Sequence, residues 1–271
     1  MIPKTIHYFW FSQDEIPPSM RRCIDTWRRI LPDYEIVKWD ASTFNVDANP
    51  FVANAFRARK WAFVTDYARL HALYELGGVY LDADVAVIRR FDEFMGHDVV
   101  TAIEYHDQIV KRERTLELLN PDGSSRQPFT RKPGIGIQAA IMAGQKGHPF
   151  FRDCMEQYLD RPFLLEEGKY IDPVIAPDIY AMVAERYGFK YRDERQLLSG
   201  NMLIVPSHIF AGKADQATRK SYAIHLCEGS WRAPDGAGVQ VRLAAVFRQA
   251  AKFVMRTIRS GLRNSLLSMG K

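Results

Sequence analysis

Between Phe63 and Asp84 the chain reads FVTDYARLHALYELGGVYLDAD. That run dictates a helix, an abrupt stop, and a short buried strand ending in two carboxylates. Tyr67, Leu70, Leu73, Tyr74 and Leu76 form an apolar stripe at helical spacing. Gly77-Gly78 halts the helix, and Val79–Leu81 leads straight into Asp82-Ala83-Asp84. Residues i and i+2 of an extended chain share a face, so the two carboxylates are expected to point together beyond the strand's carboxyl end. In an open α/β sheet that is where ligands bind. Two like charges so placed repel unless a cation or hydrogen-bonded ligand separates them, and hard oxygen ligands suit Mg²⁺ or Mn²⁺. Asp66 and Arg69 lie three apart, hence on one helix face, just before the double glycine. They bring an Arg and a third carboxylate to the same strand end, although such a pair could also be a surface ion pair worth about 0–1 kcal/mol.

The rest of the chain alternates strand and helix signals. Ile2–Phe11 reads as a buried first strand and Ser19–Ile30 as a helix with Ser19 as N-cap. A second strand is expected at Tyr34–Trp39, a short helical piece at Val52–Arg59, and strands at Val99–Glu104, Met202–Val205 and Ala223–Leu226. Helices are expected at Pro149–Leu159 and Pro177–Tyr187, the latter ended by Gly188. His106–Pro133 is polar and turn-rich without periodicity, which reads as a long loop of functional use or mobility. This alternation implies an α/β architecture with a largely parallel sheet.

Charge divides the chain in two. Of 37 Lys and Arg in the 271 residues, seven fall between Gln240 and Lys271, a stretch without Asp or Glu. Residues 1–239 keep 30 basic against 32 acidic groups, so a slightly acidic body carries a strongly basic tail. In that tail Leu243, Val246, Phe247, Ala250, Val254 and Ile258 share one helical face, opposite the basic residues from Arg248 to Arg263. A basic amphipathic helix of this kind suits an anionic membrane surface, or packs its apolar stripe on the body. Nucleic acid is not an expected partner, since it requires no apolar face. The simplest division is a catalytic domain over 1–239 and a basic amphipathic tail over 240–271. Cys23, Cys154 and Cys227 are odd in number and widely spaced, which argues against a disulfide framework. The N-terminus lacks the pattern of a secretion signal, and no apolar run is long enough to span a membrane. The expectation is a cytoplasmic protein, peripheral on the inner face of the plasma membrane.

Four segments carry a resemblance: IPKTIHYFWF, WAFVTDYARLHALYELGGVYLDADV, QAAIMAGQKGHPFF and IHLCEGSW, in that order. Together they resemble glycosyltransferase family 32 and, more distantly, the catalytic domains of the glucosylating clostridial toxins, over about residues 2–231. The resemblance implies a GT-A fold and a retaining, metal-dependent transfer from a nucleotide sugar, with UDP- and GDP-sugars both open as donors and a glycan or glycolipid as acceptor. It implies Asp84 and His225 as ligands of Mn²⁺ or Mg²⁺. Asp82 would contact ribose and donor sugar, in part through the metal. Asp66 and Arg69 would hold the donor sugar, with Tyr80 beside them and Trp10 stacked on the base. Ser230 and Trp231 would belong to a loop closing over the diphosphate. Gln138 stands where the family commonly has an Asn facing the sugar, and Ala176-Pro177 where Gly-Pro is usual. Trp10 also fits a core position, as does His225 after its apolar strand; His7 and His148 read as structural.

Two other functions compete. A phosphohydrolase of the haloacid dehalogenase type also uses a strand followed by DxD, but that motif continues to Thr or Val where Ala86 stands, and the chain has no Asp-Asp dipeptide. A non-catalytic basic membrane-binding protein would explain the tail and leave the Asp82/Asp84 motif unexplained.

Overall fold

The computed structural model describes residues 1–167 and 169–227. The expected tail helix over 240–271, and with it Ser230 and Trp231, lies outside the described residues. In chain order the elements are β1 (Thr5–Phe9), α1 (Pro18–Ile30), β2 (Glu35–Trp39), α2 (Pro50–Arg57), α3 (Trp61–Leu76), β3 (Gly78–Leu81), β4 (Val85–Val87), β5 (Val99–Tyr105), α4 (Asp107–Arg112), β6 (Ile135–Ile137) and β7 (Ile141–Gly144). There follow α5 (Pro149–Glu156), β8 (Leu165–Glu166), β9 (Lys169–Tyr170), α6 (Ala176–Ala184), β10 (Gln196–Leu198), β11 (Met202–Val205), β12 (Phe210–Ala211) and β13 (Ala223–His225). Among the described residues no helix is long and apolar enough to cross a membrane.

The main sheet runs β10-β11-β5-β7-β3-β1-β2, with β6 paired to β5. β1, β2, β3, β5 and β11 point the same way, while β7 and β10 oppose them. The expected mostly parallel sheet is therefore present, with one inverted strand, β7, wedged between β3 and β5. Strand alternation sorts the core onto two faces. Ile6, Tyr8, Val79 and Leu81 pack with Met20, Ile24 and Trp27 of α1 on one side. Phe9, Tyr80 and Met142 pack with α2, α3, α5 and α6 on the other. Helices thus cover both faces, as buried parallel strands require.

Two local readings change. Helix α1 starts at Pro18, with Pro17 at the cap position, so Ser19 lies inside the first turn and does not cap it; Pro at the first helical position needs no N–H there. The 106–133 stretch is not one loop: it contains α4 and a 3₁₀ turn at Thr115–Leu118, both too short for periodicity to reveal.

The α3–β3 junction is built on the double glycine. Gly77 and Gly78 both have positive φ (69° and 110°). A side chain on Gly78 would place its Cβ 2.6 Å from the Thr5 carbonyl oxygen and 3.0 Å from His7 Nε2. His7 fills that space: its Nε2–H donates to the Gly77 carbonyl at 2.8 Å and its Nδ1 accepts from Trp39 Nε1 at 3.1 Å. Both contacts fit one neutral tautomer, and burial pulls the imidazole's pKa below its ordinary value. His7 is structural, as is His148, whose Nδ1 accepts from the Phe150 amide.

Gly78→Ala should therefore cost about 2–4 kcal/mol of unfolding free energy in urea titrations, against about 1 kcal/mol for Gly147→Ala; Gly147 also has a left-handed backbone but faces open space. Equal costs would contradict the close-approach account.

Candidate active site

The carboxyl ends of β1, β3 and β5 lie on one edge of the sheet, and β7, running the other way, begins there. Asp82 follows β3 directly. Its amide donates to the Ala140 carbonyl at 2.9 Å, and the Val85 amide donates back to the Asp82 carbonyl at 2.9 Å. Asp82-Ala83-Asp84 is thus a tight turn between β3 and β4. The two carboxylates converge because the chain turns, and not because an extended strand alternates.

β4 is fixed from both sides. Trp27 Nε1 donates to the Val85 carbonyl at 2.7 Å and the Val87 amide donates to Thr26 Oγ1 at 2.9 Å, which anchors the turn to α1. On its other edge β4 pairs antiparallel with β13, opposing His225 to Val85, and the Leu226 amide donates to the Asp84 carbonyl at 3.1 Å. This register sets His225 Nε2 3.2 Å from Asp84 Oδ1 and 3.7 Å from Asp82 Oδ2. One ligand atom from each of Asp82, Asp84 and His225 lies within 4.8 Å of the other two. A cation about 2.0–2.3 Å from each ligand sets such atoms roughly 3–4.5 Å apart, so the trio fits a divalent ion with small adjustment. Two carboxylates and an imidazole suit Mn²⁺ at least as well as Mg²⁺. Burial lowers the His225 pKa, but the Asp84 carboxylate outweighs it and raises the imidazole above its ordinary value.

Behind the turn sits a buried cation. Arg69, 4% exposed, places NH2 3.0 Å from Asp66 Oδ1 and 3.8 Å from Asp82 Oδ1. Its Nε donates to the Thr65 carbonyl at 3.0 Å and its NH1 to the Ala139 carbonyl at 2.6 Å. The guanidinium lies 4.7 Å from the centre of the Tyr80 ring, a cation–π arrangement. The Tyr80 hydroxyl in turn donates to Asp82 Oδ1. Tyr80 and Asp82 share a face at i and i+2, which is why the ring reaches the carboxylate from beneath. Burial pushes Asp66 up to about 7 despite the nearby Arg69, with Asp82 adding to the rise.

Asp66, Arg69, Tyr80, Asp82, Asp84 and His225 are therefore joined in one contact network. Trp10 and Gln138 lie around it. Trp10 follows β1 on the same sheet edge, half-buried, and its indole N–H donates to the Asp14 carbonyl at 2.8 Å. Gln138 is buried just ahead of Ala139; its Nε2 donates to the Phe210 carbonyl at 2.9 Å and its Oε1 has no hydrogen-bond partner. Sequence reasoning missed the backbone carbonyls of Thr65, Ala139 and Ala140, which carry no side-chain signal. It also missed Tyr180, whose hydroxyl donates to the Asp66 carbonyl at 2.9 Å from α6.

Residues 17–101, which include Asp66, Arg69, Asp82 and Asp84, match the family described as the glycosyltransferase sugar-binding region containing a DXD motif. The chain is 33% identical over 164 residues to inositol phosphoceramide mannosyltransferase 3 of Schizosaccharomyces pombe, covering 55% of this chain and 35% of that protein. It is 31% identical over 107 residues to mannosyltransferase 2 of the same name and organism, covering 36% and 30%. The chain therefore spans about a third of the length of these curated relatives. Among solved structures it is similar to the galactosyltransferase LgtC with donor and acceptor sugar analogues, at TM-score 0.47 and 16% identity over 92% of this chain and 95% of that one.

Removing Arg69 leaves Asp66 buried beside Asp82. Arg69→Met should lose about 3–5 kcal/mol at pH 8. Asp66's folded pKa lies above its reference value of 3.8, so the folded state holds that proton more tightly and stability falls as pH rises toward and past 7. The Arg69→Met loss should accordingly shrink at pH 5.5, and Asp66→Asn/Arg69→Met should recover much of it. Urea midpoints across pH check this; a pH-independent loss would show that Arg69 acts by packing alone.

Proposed function

We propose that this protein is a retaining glycosyltransferase that moves a hexose from a nucleoside-diphosphate sugar, with a divalent ion, to a polysaccharide or lipid-linked oligosaccharide. The observation that carries the reading is the convergence of Asp82, Asp84 and His225 on one turn, backed by the buried Asp66–Arg69 pair, with both aspartates inside the DXD-motif region.

Asp84, His225 and Asp82 would hold Mn²⁺ or Mg²⁺, which as a Lewis acid supplies charge neutralisation for a leaving diphosphate. The chain's own groups complete the chemistry. Arg69 is held by two backbone carbonyls and Asp66, so it keeps Asp82 oriented toward the donor without rearranging during the reaction. Asp66 and Arg69 would hold the donor sugar, Arg69 acting through Asp66 and Asp82, Gln138 would offer its unpartnered Oε1 to a sugar hydroxyl, and Tyr80 orients Asp82 through its hydroxyl. Trp10 packs on the base. Ser230 and Trp231, outside the described residues, are carried only by the family resemblance and would supply a hydroxyl and an indole N–H where charge develops. No carboxylate is assigned as a covalent nucleophile; the leaving phosphate helps deprotonate the acceptor on the face from which it departs.

The mannosyltransferase relatives make GDP-mannose the first donor to test, beside UDP-hexoses. Their lipid-named activity accords with an acceptor at a membrane, which the basic tail over 240–271 would reach from the cytoplasmic face. Each Lys or Arg near an anionic surface is worth about 1 kcal/mol.

A thermal-shift screen of GDP-, UDP- and CMP-sugars with Mn²⁺ should show selective stabilisation by one donor class. Asp84→Asn should lose that shift and at least about a hundredfold in transfer rate while staying folded. Full activity in Asp84→Asn would overturn the metal assignment. Truncation after Gly238 should abolish sedimentation with anionic liposomes; unchanged sedimentation would remove the tail from the account.

A further inference from the structure

A thiol lies beside the site. Among the described residues Cys23 and Cys154 are buried, while Cys227 is exposed, two residues after His225. Its backbone takes a left-handed conformation, φ 51°, which turns the side chain back over the end of β13. There Sγ lies 3.4 Å from His225 Nδ1 and 2.9 Å from the Gly212 carbonyl oxygen. Gly212 is brought alongside because β12 pairs parallel with β13, Ala211 opposite Ile224.

The two ring nitrogens of His225 therefore face different partners. Nε2 faces Asp84 and Asp82, and Nδ1 faces the sulfur. The geometry points to Cys227 as a positioning residue for His225: its sulfur accepts the Nδ1–H while its S–H donates to Gly212, fixing the imidazole with Nε2 open to a divalent ion. This rests on the divalent-ion reading above.

The chemistry requires such a partner. An imidazole that gives its Nε2 lone pair to a cation must carry its proton on Nδ1, and that N–H needs an acceptor. A thiol serves both ends, because its hydrogen goes to the carbonyl and a sulfur lone pair remains for the ring. The sulfur itself cannot share the ion with Asp82 and Asp84 in this arrangement, since Nδ1 and Nε2 point away from each other across the ring. The role is to hold a ligand, not to be one. A carboxylate or carbonyl commonly takes this place beside a metal-bound His; here a short relay through sulfur ends on a backbone carbonyl.

The test uses the full 271-residue chain and Mn²⁺ itself, with free ion measured by electron paramagnetic resonance. Cys227→Ala should bind Mn²⁺ about 10–100-fold more weakly than the wild type. Cys227→Ser, whose hydroxyl also accepts and donates, should recover most of that loss. In histidine ¹⁵N–¹H spectra with Mg²⁺ bound, the wild type should show His225 protonated on Nδ1, and Cys227→Ala should lose the exchange protection of that proton. Cys227→Ala binding Mn²⁺ as tightly as the wild type, or a wild-type His225 protonated on Nε2 with the ion bound, would overturn the positioning role alone. A wild-type chain that binds no Mn²⁺ or Mg²⁺ would overturn the divalent-ion reading and this inference with it.

Discussion

The buried guanidinium of Arg69 ties helix α3, strand β3 and the approach to β7 together at the carboxyl edge of the sheet. It bonds the carbonyl one turn back on α3 and the Ala139 carbonyl ahead of β7, pairs with Asp66 and Asp82, and stacks near Tyr80 of β3. A buried charge is costly unless it is paired and hydrogen-bonded, and here each side of the fork meets an acceptor. Because the partners come from a helix, a strand and the approach to the inverted strand, the cost of leaving that charge unmet enforces their relative placement. The acidic turn inherits its position from this arrangement.

The second constraint is the small sheet of β12, β13 and β4. β4 leaves the acidic turn and is claimed at once by α1 on one side and β13 on the other. His225 reaches Asp84 only because β13 runs antiparallel to β4 in that register. A slip of one residue would turn its imidazole to the opposite face. A late segment of the chain thereby completes a site begun more than a hundred residues earlier.

The helix, the double glycine, the short strand and the acidic pair were legible in the sequence because local rules govern them: apolar periodicity, positive φ at glycine, and side-chain charge. The Asp66–Arg69 pair was legible as a spacing, though not as a buried hub, since its environment comes from Ala139 and Tyr80. The direction of β7 was not legible, because a run of short apolar segments between Ile135 and Met142 fits either direction. The turn at Asp82–Asp84 reads as extended strand in the sequence, since no Gly or Pro marks it; its hydrogen bonds come from Ala140 and Leu226. The contact from Cys227 to His225 arises from a left-handed residue that propensity would not assign to cysteine.

A cation held between Asp82, Asp84 and His225 is the central proposal. Anomalous diffraction from crystals of the full chain grown with Mn²⁺ and a nucleoside diphosphate tests it most directly. An anomalous peak is expected about 2.0–2.4 Å from Asp84 and His225 Nε2, with Asp82 bound directly or through water. A peak elsewhere, or none with the nucleotide bound, would contradict it.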